Sequence, residues 1–231
     1  MFTAPSSASI GQLFRRHQVL AMALCSALAT GMLATRVLYT GSFSYCFLVW
    51  NLFLAWIPYL CSLAFDALSR STPAARGAKM ILAAVWLAFL PNAPYIMTDF
   101  VHLSRSPTSA PWFDTMMLMT FAWNGLCLGI VSLMAMHDQV RQRLGATPGW
   151  LFAGTVIGLC GIGVYMGRFL RWNTWDLLRR PGHVGSVLLD VLANPQHHTY
   201  AFAVSGVFAS VLMVAYFSFA THRARVPAVN V

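Results

Sequence analysis

The chain contains no glutamate; its acidic residues are six aspartates. Charged side chains make up 9% of its 231 residues, against about 25% in an ordinary soluble domain, which is too few to keep a surface in water. No C-x-x-C pair occurs. The five cysteines (Cys25, Cys46, Cys61, Cys127 and Cys160) are scattered through apolar runs, an odd and dispersed set that argues against a disulfide framework or a zinc site. They read as small hydrophobes in helix packing. No two apolar runs each carry a central histidine, and His197-His198 has no matching ligand set nearby, so neither a metal nor a haem cofactor is expected. Internal repeats are absent, as is any established hydrolase or transferase motif.

Apolar residues fill the space that charge leaves, at 58% of the chain. Six runs approach the ~20 residues that a bilayer core requires. They cover Gln18–Thr35, Ser42–Phe65, Ala78–Met97, Phe113–His137, Trp150–Gly167 and Tyr200–Thr221. The expected fold is all-α, a polytopic transmembrane helical bundle of about six spans. It forms one transmembrane domain over 18–221, between tails at 1–17 and 222–231. The third span is interrupted at Pro91-Asn92-Ala93-Pro94, because proline removes a backbone donor and crowds the preceding turn. The stretch from Arg168 to Thr199 is the longest connection. Within it His183–Ala193 carries Val184, Val187, Leu188 and Val191 at helical spacing, which predicts a short interfacial helix. Arg15-Arg16 before an apolar run ending Ala27-Leu28-Ala29 also fits a signal peptide, so retention or cleavage of the first span stays open.

A net charge of +9 would suggest nucleic acid in a soluble chain. Here the basic residues sit between apolar runs, and no basic stretch interleaved with aromatics exists, so nucleic acid is not an expected partner. With both termini cytoplasmic, nine Lys and Arg fall inside (Arg15, Arg16, Arg70, Arg76, Lys79, Arg141, Arg143, Arg223, Arg225). Six fall outside (Arg36, Arg105, Arg168, Arg171, Arg179, Arg180). That count favours N-in and C-in, and leaves four outer cations in one loop as an anomaly. Asp99, Asp114, Asp176 and Asp190 fall on the same outer side, with His102, His183, His197 and His198.

Two polar signatures therefore share one face. In the first, Asn92 can cap carbonyls freed by the prolines, while Asp99 and His102 lie three apart and share a face if that piece is helical. A carboxylate–imidazole pair there has acid–base or ion-binding capacity. In the second, Arg168, Arg171 or Trp172, and Trp175 share a face at helical spacing. Two arginines suit a phosphate or carboxylate, whereas a plain interfacial belt of Trp and Arg would look the same. Asn173 and Asp176 are further binding candidates, or ion-pair partners that lock the loop. The third and fifth spans are expected to meet, bringing Asp99 and His102 near Arg168 and Arg171. Asp114 reads as a helix N-cap, and Asn124 with Asn51 as an interhelical pair. Gly154, Gly158, Gly161, Gly163 and Gly167 give the fifth span a face for close packing, within the bundle or at a homo-oligomer or partner seam.

The ordered segments Leu90-Pro91-Asn92-Ala93-Pro94-Tyr95, Thr98-Asp99, His102-Leu103, Trp112-Phe113-Asp114, Phe121-Ala122-Trp123-Asn124-Gly125 and Gly167-Arg168-Phe169-Leu170-Arg171-Trp172-Asn173-Thr174-Trp175-Asp176 carry a resemblance. Over roughly Trp50 to Phe217 the chain resembles a family of bacterial multi-pass membrane proteins catalogued as a domain of unknown function, number thirteen sixty-one. The resemblance implies an integral protein of a bacterial plasma membrane, and carries no activity, cofactor or catalytic residue. Three functional classes remain: a membrane-embedded enzyme acting on a lipid or phosphate-bearing substrate, a small-solute transporter, and an accessory subunit. The enzyme would use Asp99 and His102 as base and acid, with Arg168 and Arg171 on phosphate. Apart from the lipid bilayer, the expected partner is a lipid or small anionic ligand at the outer face.

Overall fold

The computed structural model describes residues 7–71, 75–103, 110–172, 181–194 and 198–225, together with Thr174, Arg179 and Gln196. The regular secondary structure of the described residues is helical. In chain order they form α1 (Ser7–Thr40), α2 (Phe47–Ser71), α3 (Arg76–Phe89), a single turn α4 (Asn92–Tyr95) running into a 3-10 helix (Ile96–His102), α5 (Pro111–Leu144), α6 (Ala146–Phe169), α7 (Pro181–Ala193) and α8 (Thr199–Arg225). Six helical stretches are long and apolar enough to cross a membrane: Gln18–Thr40, Phe47–Arg70, Arg76–His102, Pro111–Leu144, Ala146–Phe169 and Thr199–Thr221. The chain is a multi-pass membrane protein.

Helix α5 is the axis of the bundle. It packs against α1, α2, the α4 turn, the 3-10 helix, α6 and α8. Its first half is clasped by Tyr45, Leu48, Leu52 and Tyr59 from the α2 side and by Ala93 and Ile96. Its second half joins Trp86, Ala153, Ile157, Cys160, Leu212 and Tyr216 in another core. The outer flanks carry exposed Leu20, Leu24, Leu28, Phe53, Leu60 and Val214, as helices facing lipid tails do. Cys46, by contrast with the packing role expected of the cysteines, lies exposed in the turn before α2.

The third span behaves differently from an interrupted helix with an open gap. Leu90, Pro91, Tyr95 and Ile96 all keep right-handed helical dihedrals. Two prolines without N–H groups thin the bonding ladder, and the winding tightens: Ala93 N–H donates to Leu90 O at 3.1 Å, a three-residue step. The asparagine amide relieves one freed carbonyl, donating to Phe89 O at 3.0 Å. The path also shifts inward. Helix α3 lies on α2, whereas α4 and the 3-10 helix lie against α5.

Glycines make that shift possible. A Cβ on Gly125 of α5 would stand 2.5 Å from the Ala93 carbonyl oxygen, and one on Gly129 would stand 3.0 Å from the Ala93 methyl. From the other side, a Cβ on Gly163 of α6 would stand 2.6 Å from Pro91, and one on Gly167 3.1 Å from the Tyr95 ring. Four glycines on two helices thus grip the Pro91–Tyr95 turn. Small residues let helix backbones approach this closely where lipid supplies no hydrophobic drive. Gly161 serves α8 in the same way, abutting the Ser205 backbone, while Gly154 and Gly158 meet nothing within 4 Å.

Candidate functional site

Where the third span moves inward, α2 and α6 are left standing apart, and a cleft of about 250 Å3 opens between them. Phe47, Trp50, Asn51 and Leu54 of α2 form one wall. Gly163, Met166, Gly167 and Arg168 of α6 form the other, continued by Trp172 and Thr174. The floor is Ala88, Pro91, Asn92, Tyr95, Asp99 and His102. It sits at the end of the bundle where α2 begins and α6 ends.

Asp99 and His102 lie on the 3-10 helix, where residues three apart eclipse one another, so both reach the cleft. The Asp99 side chain is 1% exposed. One carboxylate oxygen accepts from Asn51 Nδ2 at 2.9 Å, and the other faces Arg168 Nη1 at 3.5 Å. That second separation is too long for a strong charge-assisted bond, which closes to about 2.7–2.9 Å. Arg168 stays partly exposed at 19%, and Asp99 is its ionic partner among the described residues. Arg168 also lines the cleft. The His102 ring packs 4.9 Å from Phe47, and its carbonyl accepts from Tyr45 Oη at 3.3 Å. Asn92 joins floor to wall, donating to Thr174 Oγ1 at 3.0 Å. Trp172 stands at the rim, 5.3 Å from the His183 ring of α7.

Of the residues singled out by sequence, Asn92, Asp99, His102, Arg168 and Trp172 therefore gather around one cleft. Arg171 does not join them. Helix α6 ends at Phe169, and Arg171 takes a left-handed conformation at φ 57°, which turns the chain so that Trp172 N–H reaches back to Met166 O. Its side chain is exposed, and the helical face expected to align Arg168 with Arg171 stops short of it. Asn173, Trp175 and Asp176 lie outside the described residues, as does His197.

Two further expectations are corrected. Asp114 is not an N-cap, because α5 starts earlier, at Pro111, a residue suited to a first helical position. Its carboxylate instead turns into the bundle and meets Arg36 Nε of α1 at 2.8 Å, with both side chains under 5% exposed. The Arg36 guanidinium also covers the Tyr45 ring at 4.4 Å and donates to Ser42 O. Sequence reading missed this pair, although both residues lie at the same end of the bundle, at the close of α1 and the start of α5. Nor do Asn51 and Asn124 pair. Both amides are committed elsewhere. Asn51 serves Asp99, whereas Asn124 donates to Ser26 Oγ at 2.7 Å, a hydroxyl that also receives Trp56 Nε1.

At the opposite end of the bundle His137 is 5% exposed and shares a hydrogen bond between Nδ1 and Tyr216 Oη, with Trp150 edge-on at 5.0 Å. This histidine sits in helix packing. Among the described residues no three His, Cys, Asp or Glu side chains gather as metal ligands.

Neither a curated protein nor a solved structure matches the chain. A family model described as a protein of unknown function, DUF1361, matches residues 50–214, which takes in most of α2 through most of α8 and every cleft-lining residue except Phe47. The match covers well over half of the chain, and the protein belongs to the DUF1361 family of membrane proteins.

Proposed function

We propose that the cleft between α2 and α6 binds an anionic group, a phosphate or carboxylate, with Arg168 as its anchor. One observation carries this reading: Arg168 lines the cleft, partly exposed, while Asp99, its ionic partner among the described residues, stands at a loose 3.5 Å. A cation intended solely as a structural counterion would close on the carboxylate. A ligand's anion can instead take the two parallel donors of the guanidinium fork. Asn92 and Trp172 border the same space and fit the polar and amphipathic contacts such a ligand needs.

Asp99 and His102 give this reading an enzymatic form. Both line the cleft within one 3-10 turn of each other, and together they offer a base and an acid beside a bound phosphate. Transport is less favoured, because Leu90 to Ile96 keep helical dihedrals and supply no unwound segment of the kind that marks transporter sites. In the proposed orientation both termini are cytoplasmic, the membrane is a bacterial plasma membrane, and the cleft faces outward.

The test uses purified full-length protein in detergent, with inorganic phosphate as the probe and thermal unfolding as the readout. Saturating phosphate raises the midpoint of the wild type, and Arg168→Gln abolishes that rise relative to its own phosphate-free midpoint. Asp99→Asn removes the internal competitor for the guanidinium and lowers the half-saturating phosphate concentration about tenfold. A wild type indifferent to phosphate and to acetate alike ends the anion reading.

A further inference from the structure

The cleft has a polarity gradient along the bundle axis, and its direction is informative. Asp99, His102 and Arg168 lie at the end where α6 stops, with Trp172 at the rim. Deeper along the same helices the lining turns apolar. Leu54 is three residues, about 4.5 Å, below Asn51 on α2, and Gly163 is five residues, about 7.5 Å, below Arg168 on α6. Ala88 of α3 completes this lower end. Among the described residues no charged side chain lines the lower part.

The sides of the cleft matter as much as its ends. Helices α2 and α6 form opposite walls with no extensive packing between them. Trp50, one turn into α2, lines the cleft and is 53% exposed, and Phe53 beside it on the outer flank is 54% exposed. Their rings lie 5.4 Å apart. An exposed aromatic pair this far from the helix end belongs to the lateral, membrane-facing surface, where tryptophan marks the depth of lipid headgroups.

We infer that the occupant is a lipid-like amphiphile with an anionic phosphate head, entering sideways between α2 and α6 past Trp50, its head on Arg168 and its chain along Leu54 and Ala88. This rests on the anion reading above and adds the chain. The orientation agrees with that of a lipid in the leaflet on the cleft's side, whose head lies at the surface and whose tail points to the midplane. A free phosphate ion would have no use for the apolar lower end. A lipid headgroup uses both.

The experiment places the full chain in phosphatidylcholine nanodiscs and compares inorganic phosphate, dodecyl phosphate and dodecanol. In a cysteine-free background carrying Ala88→Cys, the alkylation rate of that thiol reports occupancy of the lower cleft. Dodecyl phosphate slows alkylation at least fivefold, whereas inorganic phosphate and dodecanol leave it unchanged, and adding Arg168→Gln removes the protection. Filling the lower cleft by Leu54→Trp abolishes the midpoint rise given by dodecyl phosphate and spares the rise given by inorganic phosphate in detergent. If dodecyl phosphate fails to protect Cys at position 88 while inorganic phosphate still stabilises the protein, the chain subsite is wrong and the anion site stands. If neither phosphate compound has any effect, both fall together. The alkylation readout needs only a small substitution, so a misfolded Leu54→Trp does not rescue the inference.

Discussion

Replacing Gly125 by alanine tests whether the glycine grip positions the site. The new Cβ would lie 2.5 Å from the Ala93 carbonyl oxygen and 2.9 Å from Ile96 Cδ1, where ordinary contact begins near 3.4 Å. Ile96 can rotate its methyl away. The Ala93 oxygen cannot, because it is backbone, and the same turn is braced from behind by Pro91 over Gly163. Overpacking of this kind costs about 3 kcal/mol at its upper end, and alanine's better helix propensity returns about 1 kcal/mol. The net loss of ~2 kcal/mol lowers the unfolding midpoint by about 4–8 °C for a chain of this size. Gly154→Ala is the matched control. It makes the same chemical change on α6 where nothing lies within 4 Å, and its midpoint stays level or rises. Thermal unfolding of the two purified variants in one detergent, followed by intrinsic fluorescence, gives the comparison. Because the displaced turn carries Tyr95 and leads into Asp99, Gly125→Ala also weakens phosphate stabilisation, and Gly154→Ala does not. Indistinguishable midpoints for the two variants would refute the argument that close approach at Gly125 holds the turn.

Three other outcomes are expected. Arg36→Gln and Asp114→Asn each strand a buried charge and destabilise the protein by about 3–5 kcal/mol, and the double variant recovers part of that loss in the same unfolding assay. Arg171→Gly relieves a left-handed, non-glycine conformation and stabilises by about 1 kcal/mol without changing phosphate binding; weaker phosphate binding would return Arg171 to the site. Single cysteines at Ser109 and Gly182, in a cysteine-free background, react with an impermeant thiol reagent in intact cells while one at Thr72 does not, and the reverse pattern would turn the cleft toward the cytoplasm.

The gathering of Asp99, His102 and Arg168 was legible because hydropathy alone sets which helix ends share a side, and ends on one side of a small bundle have few places to go. Helix termini were harder. Arg171 left the site because α6 stops at Phe169 and the chain reverses, a matter of two residues that periodicity does not resolve. Partner choice was not legible at all. Asn51 and Asn124 were each visible as amides needing a partner, but the neighbour each one faces is not written in hydropathy: Asn51 turns to Asp99 and Asn124 to Ser26. The Arg36–Asp114 pair joins residues 78 apart in sequence, one read as a flanking cation and the other as a cap. The glycines of α6 divided for a similar reason: equal spacing hides the fact that Gly163 and Gly167 face a turn while Gly154 and Gly158 face open space.

The polar groups of α5 also carry a consequence for how the chain is made. At 34 residues the helix is about 51 Å long, well beyond the ~30 Å hydrocarbon layer, and it brings Asp114, Asn124, Ser132 and His137 into the bundle. Three of the four find their partners upstream, among residues synthesised earlier: Arg36 and Ser26 on α1, and for Ser132 the Pro58 carbonyl on α2 and the Trp86 indole on α3. As α5 leaves the translocation machinery, those donors and acceptors are already waiting in the bilayer. His137 alone looks downstream, to Tyr216 on the last helix. Its hydrogen bond cannot form until α8 has been inserted. Insertion of α8 is therefore marked by a recognisable event, the arrival of one phenol at one imidazole, and a nascent chain halted before Tyr216 leaves the Nδ1 of that imidazole without this partner.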